Sequence, residues 1–228
     1  MTVLYIANKN YSSWSLRPWV LMTQLGIAFE EKLVPFAGTG PQVAFRAFSP
    51  TGKVPCLVDG TTTVWDSLAI AEYLAEGHPG VWPADKVARA WARSAAAEMH
   101  SGFAVIRNTC GMNCGIRVKL HEVSPALAAE WARIDALWKE GLERFGGPFL
   151  AGSRFTAVDA FFAPVAFRIQ TYDPPVTDAT SEYASRLLTL PAMVAWYDEA
   201  LREPWRDEPH DAECRAVGTW TRDLRVLG

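Results

Sequence analysis

Cysteine is scarce in this chain, with four residues in 228, and Cys56, Cys110, Cys114 and Cys214 do not make the dense framework that staples small secreted domains. They are expected to be reduced thiols. Cys110 and Cys114 would share a helical face, but Gly111 and Gly115 weaken a helix there and His121 completes no known ligand spacing, so no metal site is expected. No apolar run reaches the roughly 18 residues that cross a bilayer. Charge of one sign is missing as well: the net charge is −3 with acids and bases interspersed, which argues against a nucleic-acid partner. Internal repeats and low-complexity tracts are absent. These absences point to a soluble, cytoplasmic protein with neither a membrane nor a nucleic acid as partner.

Half the residues are apolar, enough to bury a substantial core in one large domain or two small ones. The patterning changes along the chain. Thr2 to Ala7 reads as a strand, Ser15 to Leu25 as a helix that Gly26 ends, with Pro18 in its first turn, and Phe29 to Val34 as a second strand. Ala37 to Phe48, with Gly38, Gly40 and Pro41, reads as a short or irregular helix. Cys56 to Val58 and Thr62 to Trp65 flank Asp59-Gly60, a strong hairpin turn, and Asp66 opens a helix. After His78-Pro79-Gly80-Val81-Trp82-Pro83, the best linker candidate, strand signals stop. Lys86 to Ile106, Pro125 to Phe145, Ala157 to Thr171 and Pro191 to Arg202 then read as helices. The expected fold is an α/β domain over residues 1–80 followed by an all-α domain over 86–228.

Three segments carry chemistry. Tyr11-Ser12-Ser13-Trp14-Ser15 puts two hydroxyls just ahead of the first helix, where either one caps the helix or faces a ligand. Lys53-Val54-Pro55 precedes a strand. A trans turn is the ordinary solution there; a cis Val54-Pro55 bond would leave the Val54 N–H and C=O free to pair with an extended peptide as another strand would. Asp66-Ser67 starts a helix, either as a plain cap or as a receptor for an α-amino acid head group, with the helix N-terminus and Ser67 taking the carboxylate and Asp66 the ammonium.

Taken together with Phe155-Thr156-Ala157-Val158-Asp159-Ala160, these segments resemble the cytosolic glutathione transferases in order and separation, over residues 2 to about 170. The resemblance implies a thioredoxin-like first domain with a cis bond at Pro55, an all-helical second domain, a homodimer, and glutathione as cosubstrate with no metal. It assigns thiol activation to Ser12 or Ser13, with Ser12 favoured by alignment to the zeta class, and glutathione contacts to Lys53, Val54, Pro55, Asp66 and Ser67. The zeta class, which includes maleylacetoacetate isomerases, carries a cysteine after its serine pair, whereas this chain has Trp14.

Serine is chemically sufficient for the task. A thiol with a pKa near 8.5 is only a few per cent thiolate at neutral pH; a hydroxyl donating to the anion contributes roughly 1.5–3 kcal/mol and a helix N-terminus roughly 0.3–1 more, about one to three pKa units together. Thr156 and Asp159 form a capping box, a structural device whose loss through Thr156→Ala should cost about 1 kcal/mol of stability. Trp14, Met99, His100, Phe103, Arg107 and Met112 are the acceptor-site candidates, with Asn108 beside them; core packing is the alternative for Met99 and Phe103, and a solvated ion pair for Arg107. The expected reaction is conjugation of glutathione to a small hydrophobic or anionic electrophile. The competing readings are glutathione-dependent cis–trans isomerisation of the maleylacetoacetate type and a non-catalytic glutathione-binding carrier.

Overall fold

The computed structural model describes residues 1–38, 40 and 42–225; Pro41, named above, and the last three residues of the 86–228 unit lie outside it. Strand β1 (Thr2–Ile6) turns Leu4 and Ile6 into the core, the alternation expected of a half-covered strand. It pairs in parallel with β2 (Glu30–Leu33) and antiparallel with β3 (Cys56–Asp59), which continues through the Asp59-Gly60 hairpin into β4 (Thr62–Trp65). The sheet order is β2-β1-β3-β4. Between β2 and β3 the ambiguous stretch yields one short 3-10 helix, Val43–Ala47.

Helix α1 (Ser13–Gln24) begins two residues earlier than the pattern suggests, so Pro18 sits in its second turn and removes an internal hydrogen bond instead of occupying a free first-turn position. Burial compensates: Leu16, Trp19, Val20 and Leu21 are all enclosed, and Gly26, at φ 68°, ends the helix as expected. Helix α2 (Ser67–Gly77) follows β4. The segment from His78 to Asp85 is not a loose tether. Val81 and Trp82 are buried, and the Val81 carbonyl accepts the Ala157 N–H at 2.8 Å.

The predicted helix over 86–106 is two helices, α3 (Lys86–Ser101) and α4 (Ala104–Thr109). Gly102 closes on the Glu98 carbonyl at 2.7 Å and Phe103 adopts the left-handed conformation at φ 55°, which turns the chain. Helices α5 (Pro125–Phe145), α6 (Ala157–Tyr172) and α8 (Pro191–Arg202) follow their patterns closely, while α7 (Asp178–Leu188) and α9 (Glu208–Val217) were not read from sequence. The second half is helical with one exception, a ribbon of β5 (Ile116–Leu120) and β6 (Gly218–Asp223). Helix α6 is largely apolar and buried along nearly its whole length, with Asp159 and Arg168 enclosed among its apolar residues, the mark of a central helix. It packs against α1, α3, α7 and β5, so the two halves share one core.

Helix α5 presents Leu127, Trp131, Ile134, Trp138 and Gly141 to that core. A methyl at Gly141 would lie 2.5 Å from Trp91 Cη2 and 2.6 Å from the Leu150 carbonyl oxygen. Gly141→Ala is therefore expected to destabilise the protein by about 1–3 kcal/mol despite its better helix propensity, read as a lower thermal midpoint. No described helix is long and apolar enough to cross a membrane.

Candidate active site

The loop from Asn8 to Ser12 is buried along its whole length and carries the serine pair into α1. Its polar groups are satisfied by partners from several distant parts of the chain. The Glu203 carboxylate accepts the backbone N–H groups of Lys9 and of Asn10 (3.3 Å), and burial raises that carboxyl above its ordinary range despite both donors. Trp196 Nε1 donates to the Lys9 carbonyl at 2.9 Å. The buried Lys9 ammonium bonds Glu31 (2.7 Å) and Glu199 and lies 4.7 Å from the centre of the Trp19 ring. The Asn10 amide nitrogen donates to Asn113 Oδ1 at 2.8 Å and its oxygen accepts the Gly115 N–H at 2.9 Å. The Tyr11 hydroxyl sits among Asp211 (3.1 Å), the Asp207 N–H (3.2 Å) and Arg225 (3.1 Å). None of these anchors was read from sequence, because apart from Trp19 and Glu31 each partner is a hundred or more positions away.

The two serines differ. Ser12 is the N-cap of α1, is 5 % exposed, accepts from the Ser15 N–H at 3.4 Å and donates to Ser15 Oγ at 2.7 Å. Ser13 is the first helical residue, half-buried, and its hydroxyl makes no hydrogen bond among the described residues. Next to it, half-buried Trp14 lines a cleft of about 450 Å³ together with Thr51, Lys53, Val54, Pro55, Asp66 and Ser67. The Val54-Pro55 bond is cis, as the resemblance implies; Gly147-Pro148 is a second cis bond that was not anticipated. Neither backbone polar group of Val54 is taken up by the sheet or a neighbouring turn.

Opposite, Asp66 holds φ at 74°, a conformation a non-glycine residue adopts at a cost of about 1–3 kcal/mol and one that concentrates at functional sites. It caps α2 by accepting the Leu68 N–H at 2.8 Å and lies 3.4 Å from His100 Nε2, while Ser67 is buried behind it. Burial, more than the neighbouring Arg17 and Arg107, pushes the His100 pKa down against the pull of Asp66. The ring edges onto Trp14 with centroids 5.3 Å apart. Arg107 donates to the His100 carbonyl at 3.1 Å, and its guanidinium carbon lies 5.4 Å from the Trp14 ring centre. Met99, Phe103 and Met112 are packed in the hydrophobic core and do not line the cleft. Asn108 is exposed.

The capping box is present, but its weight falls on Asp159. That fully buried carboxylate accepts from the Thr156 N–H (2.9 Å), the Thr156 hydroxyl (3.3 Å), the Leu150 N–H (3.0 Å) and the Tyr183 hydroxyl (2.6 Å). All four cysteines are free and buried; burial lifts the Cys110 thiol to about 12 and Cys56, Cys114 and Cys214 above their ordinary value too, so none is a ready thiolate. No group of three metal-ligating side chains occurs among the described residues.

Comparison with known proteins gives the same picture at family level. Residues 11–76 match the glutathione S-transferase N-terminal domain and residues 115–199 the C-terminal domain, together well over half the chain. A probable maleylacetoacetate isomerase of Caenorhabditis elegans is 32% identical over 108 residues, 46% of this chain and 50% of that protein. A zeta-class glutathione S-transferase of Euphorbia esula is 31% identical over 53% of this chain and 55% of its own length. The matched stretch thus spans about half the length of these curated relatives. A glutathione transferase homologue from Burkholderia, solved with bound glutathione, superposes with a TM-score of 0.65 at 22% identity, covering 87% of this chain and 97% of that one. The mango tau-class enzyme superposes at 0.67 with 16% identity, covering 95% and 98%. With both domain models matched in order, and with the mixed sheet and helical second half on which these solved structures superpose, the chain belongs to the glutathione S-transferase family.

Proposed function

We propose that this protein is a glutathione transferase that activates the glutathione thiol with a serine hydroxyl for attack on a small electrophile. The observation that carries the reading is the sharing of one cleft by Trp14, the residue that follows Ser13 in α1, the free Val54 backbone and Asp66-Ser67; the serines themselves adjoin the cleft through Trp14 and do not line it. These suit the three parts of glutathione: thiol, extended peptide and γ-glutamyl head group. Solved family members with glutathione bound, from Burkholderia and Xanthomonas, support the choice of cosubstrate. The thiol gives up its proton, the thiolate sulfur bonds to the electrophilic carbon, and the leaving group departs with that carbon's bonding pair. Residues 1–80 serve as the glutathione-binding unit and 86–228 supply the acceptor pocket. The homodimer and cytoplasmic setting typical of the family are extended to this chain on the same footing.

Of the two serines, geometry favours Ser13 for the sulfur, since Ser12 is engaged with Ser15 and the helix end. Ser13→Ala is expected to cut conjugation of a chlorodinitrobenzene acceptor about tenfold or more, from the loss of one hydrogen bond to a charged sulfur, with unfolding unchanged. Ser12→Ala should instead cost about 1 kcal/mol of stability. Turnover that survives in the double variant would sink the serine assignment, and a rate loss confined to a well-folded Ser12→Ala would move it to Ser12. The zeta-class and isomerase relatives support isomerisation of a maleyl-type acid as the second reading. There the thiol adds and leaves again, and that turnover is measured on the same preparation.

A further inference from the structure

The ring of His100, on α3 in the second half of the chain, packs against two residues that line the cleft, edging onto Trp14 and facing Asp66. The two oxygens of Asp66 have separate neighbours. Oδ1 accepts the Leu68 N–H at 2.8 Å and is engaged in the cap of α2, whereas Oδ2 lies 3.4 Å from His100 Nε2. That separation is longer than the roughly 2.7–3.2 Å of a well-formed N–H···O bond and still within reach of an ion pair. The Asp66 side chain is 45 % exposed and lines the cleft, so a ligand there can meet the same carboxylate. Asp66 is the only carboxylate within ion-pair distance of His100 among the described residues. The other ring nitrogen, Nδ1, is buried with no partner. Protonation therefore puts a second N–H where nothing accepts it, and it adds a cation beside Arg17 on α1 and Arg107 on α4; Phe161 on α6, 6.3 Å away between ring centres, brings no charge. Burial, helped by both guanidinium groups, keeps the His100 pKa below its ordinary value against the pull of Asp66. The ring is neutral at pH 7, and its charge arrives only in acid.

We propose that His100 is a positioning residue that governs the ammonium subsite at Asp66: as the neutral ring it leaves Oδ2 to the head group of glutathione, and once protonated it takes that oxygen itself, so that glutathione binding weakens in acid. The inference rests on the transferase reading, in which Asp66 meets the γ-glutamyl ammonium, and adds a control on that site from the opposite half of the chain. Ligand ammonium and imidazolium compete for one carboxylate, so each lowers the affinity of the other. The remaining histidines, His78, His121 and His210, line no part of the cleft.

S-Methylglutathione is the probe, because it carries the head-group ammonium and has no thiol to titrate. Its counterpart is N-glutaryl-S-methylcysteinylglycine, the same molecule without the amino group. Both are titrated calorimetrically at about pH 7.5 and about pH 5, a span that charges the histidine and leaves ordinary carboxylates largely ionised. The wild-type protein should bind S-methylglutathione about fivefold more weakly in acid, while affinity for the deaminated analogue changes by less than about twofold. His100→Gln, which cannot charge, should bind S-methylglutathione about equally at the two pH values. A wild-type affinity that is flat or rises in acid, an equal loss for both ligands, or a loss that survives in His100→Gln would overturn the control by His100 and leave the transferase reading standing. A wild-type protein that binds neither S-methylglutathione nor glutathione at either pH removes the transferase reading, and this one with it. Should His100→Gln fail to fold, the comparison of the two ligands on the wild-type protein decides the matter.

Discussion

Replacing Asp159 with alanine is expected to lower the thermal midpoint by roughly 10 °C, corresponding to about 3–5 kcal/mol at about 2–4 °C per kcal/mol for a chain of this size. The carboxylate is the meeting point of four donors from three places: the turn at Leu150, the start of α6 at Thr156, and Tyr183 on α7. Alanine would strand the N–H groups of Leu150 and Thr156 and the Tyr183 hydroxyl in a water-free interior, each orphan costing about 1–3 kcal/mol before relaxation. The same change severs the tie between α6 and α7, two helices that pack closely. Thr156→Ala removes a single hydroxyl that is itself one of the donors, so its cost stays near 1 kcal/mol. Calorimetry of the two variants tests the ordering; equal midpoints would mean that Asp159 is only a cap.

Tyr11→Phe is the second large effect, expected to cost about 2–4 kcal/mol of stability and to slow conjugation together with it. The missing oxygen is the acceptor for the Asp207 N–H and for Arg225, and the donor to Asp211, all in a buried setting. Burial drives the phenol up to about 12, so Tyr11 remains a neutral hydroxyl at working pH and its role is to hold the loop two residues ahead of Ser13. A positioning role has a specific signature. The pH at which conjugation reaches half its maximum should move upward in Tyr11→Phe, as the thiolate loses a well-placed donor, while wild-type glutathione affinity is largely kept. A variant with full stability and an unmoved pH profile would show that the loop holds its shape without this hydroxyl.

The elements that were legible in sequence are those whose boundaries are written locally. Helices α5 and α8 each open on a proline in the first turn, and the β3–β4 hairpin turns at Asp59-Gly60. Misreadings arose where tertiary packing overrode a local signal. Pro18 did not mark the first turn of α1 because a buried helix tolerates the lost bond, and the Ala- and Arg-rich run after Lys86 broke at Gly102-Phe103. The Ile116–Leu120 strand alternates visibly, but its partner begins at Gly218, too far along the chain to suggest a ribbon. The site divides in the same way. Ser12-Ser13, Val54-Pro55 and Asp66-Ser67 are short motifs that local sequence suffices to single out; the anchors of the serine loop are assembled from distant segments and carry no local pattern.

The anchoring of Lys9, Asn10 and Tyr11 by Trp196, Glu203, Asp211 and Arg225 has a temporal meaning as well as a spatial one. A ribosome delivers the serine loop long before its supports. The loop therefore waits until supports 187 to 214 positions further along the chain have emerged to close it. Chains cut short during synthesis carry the serines, the proline turn and the acidic cap, and still lack the framework that aims them.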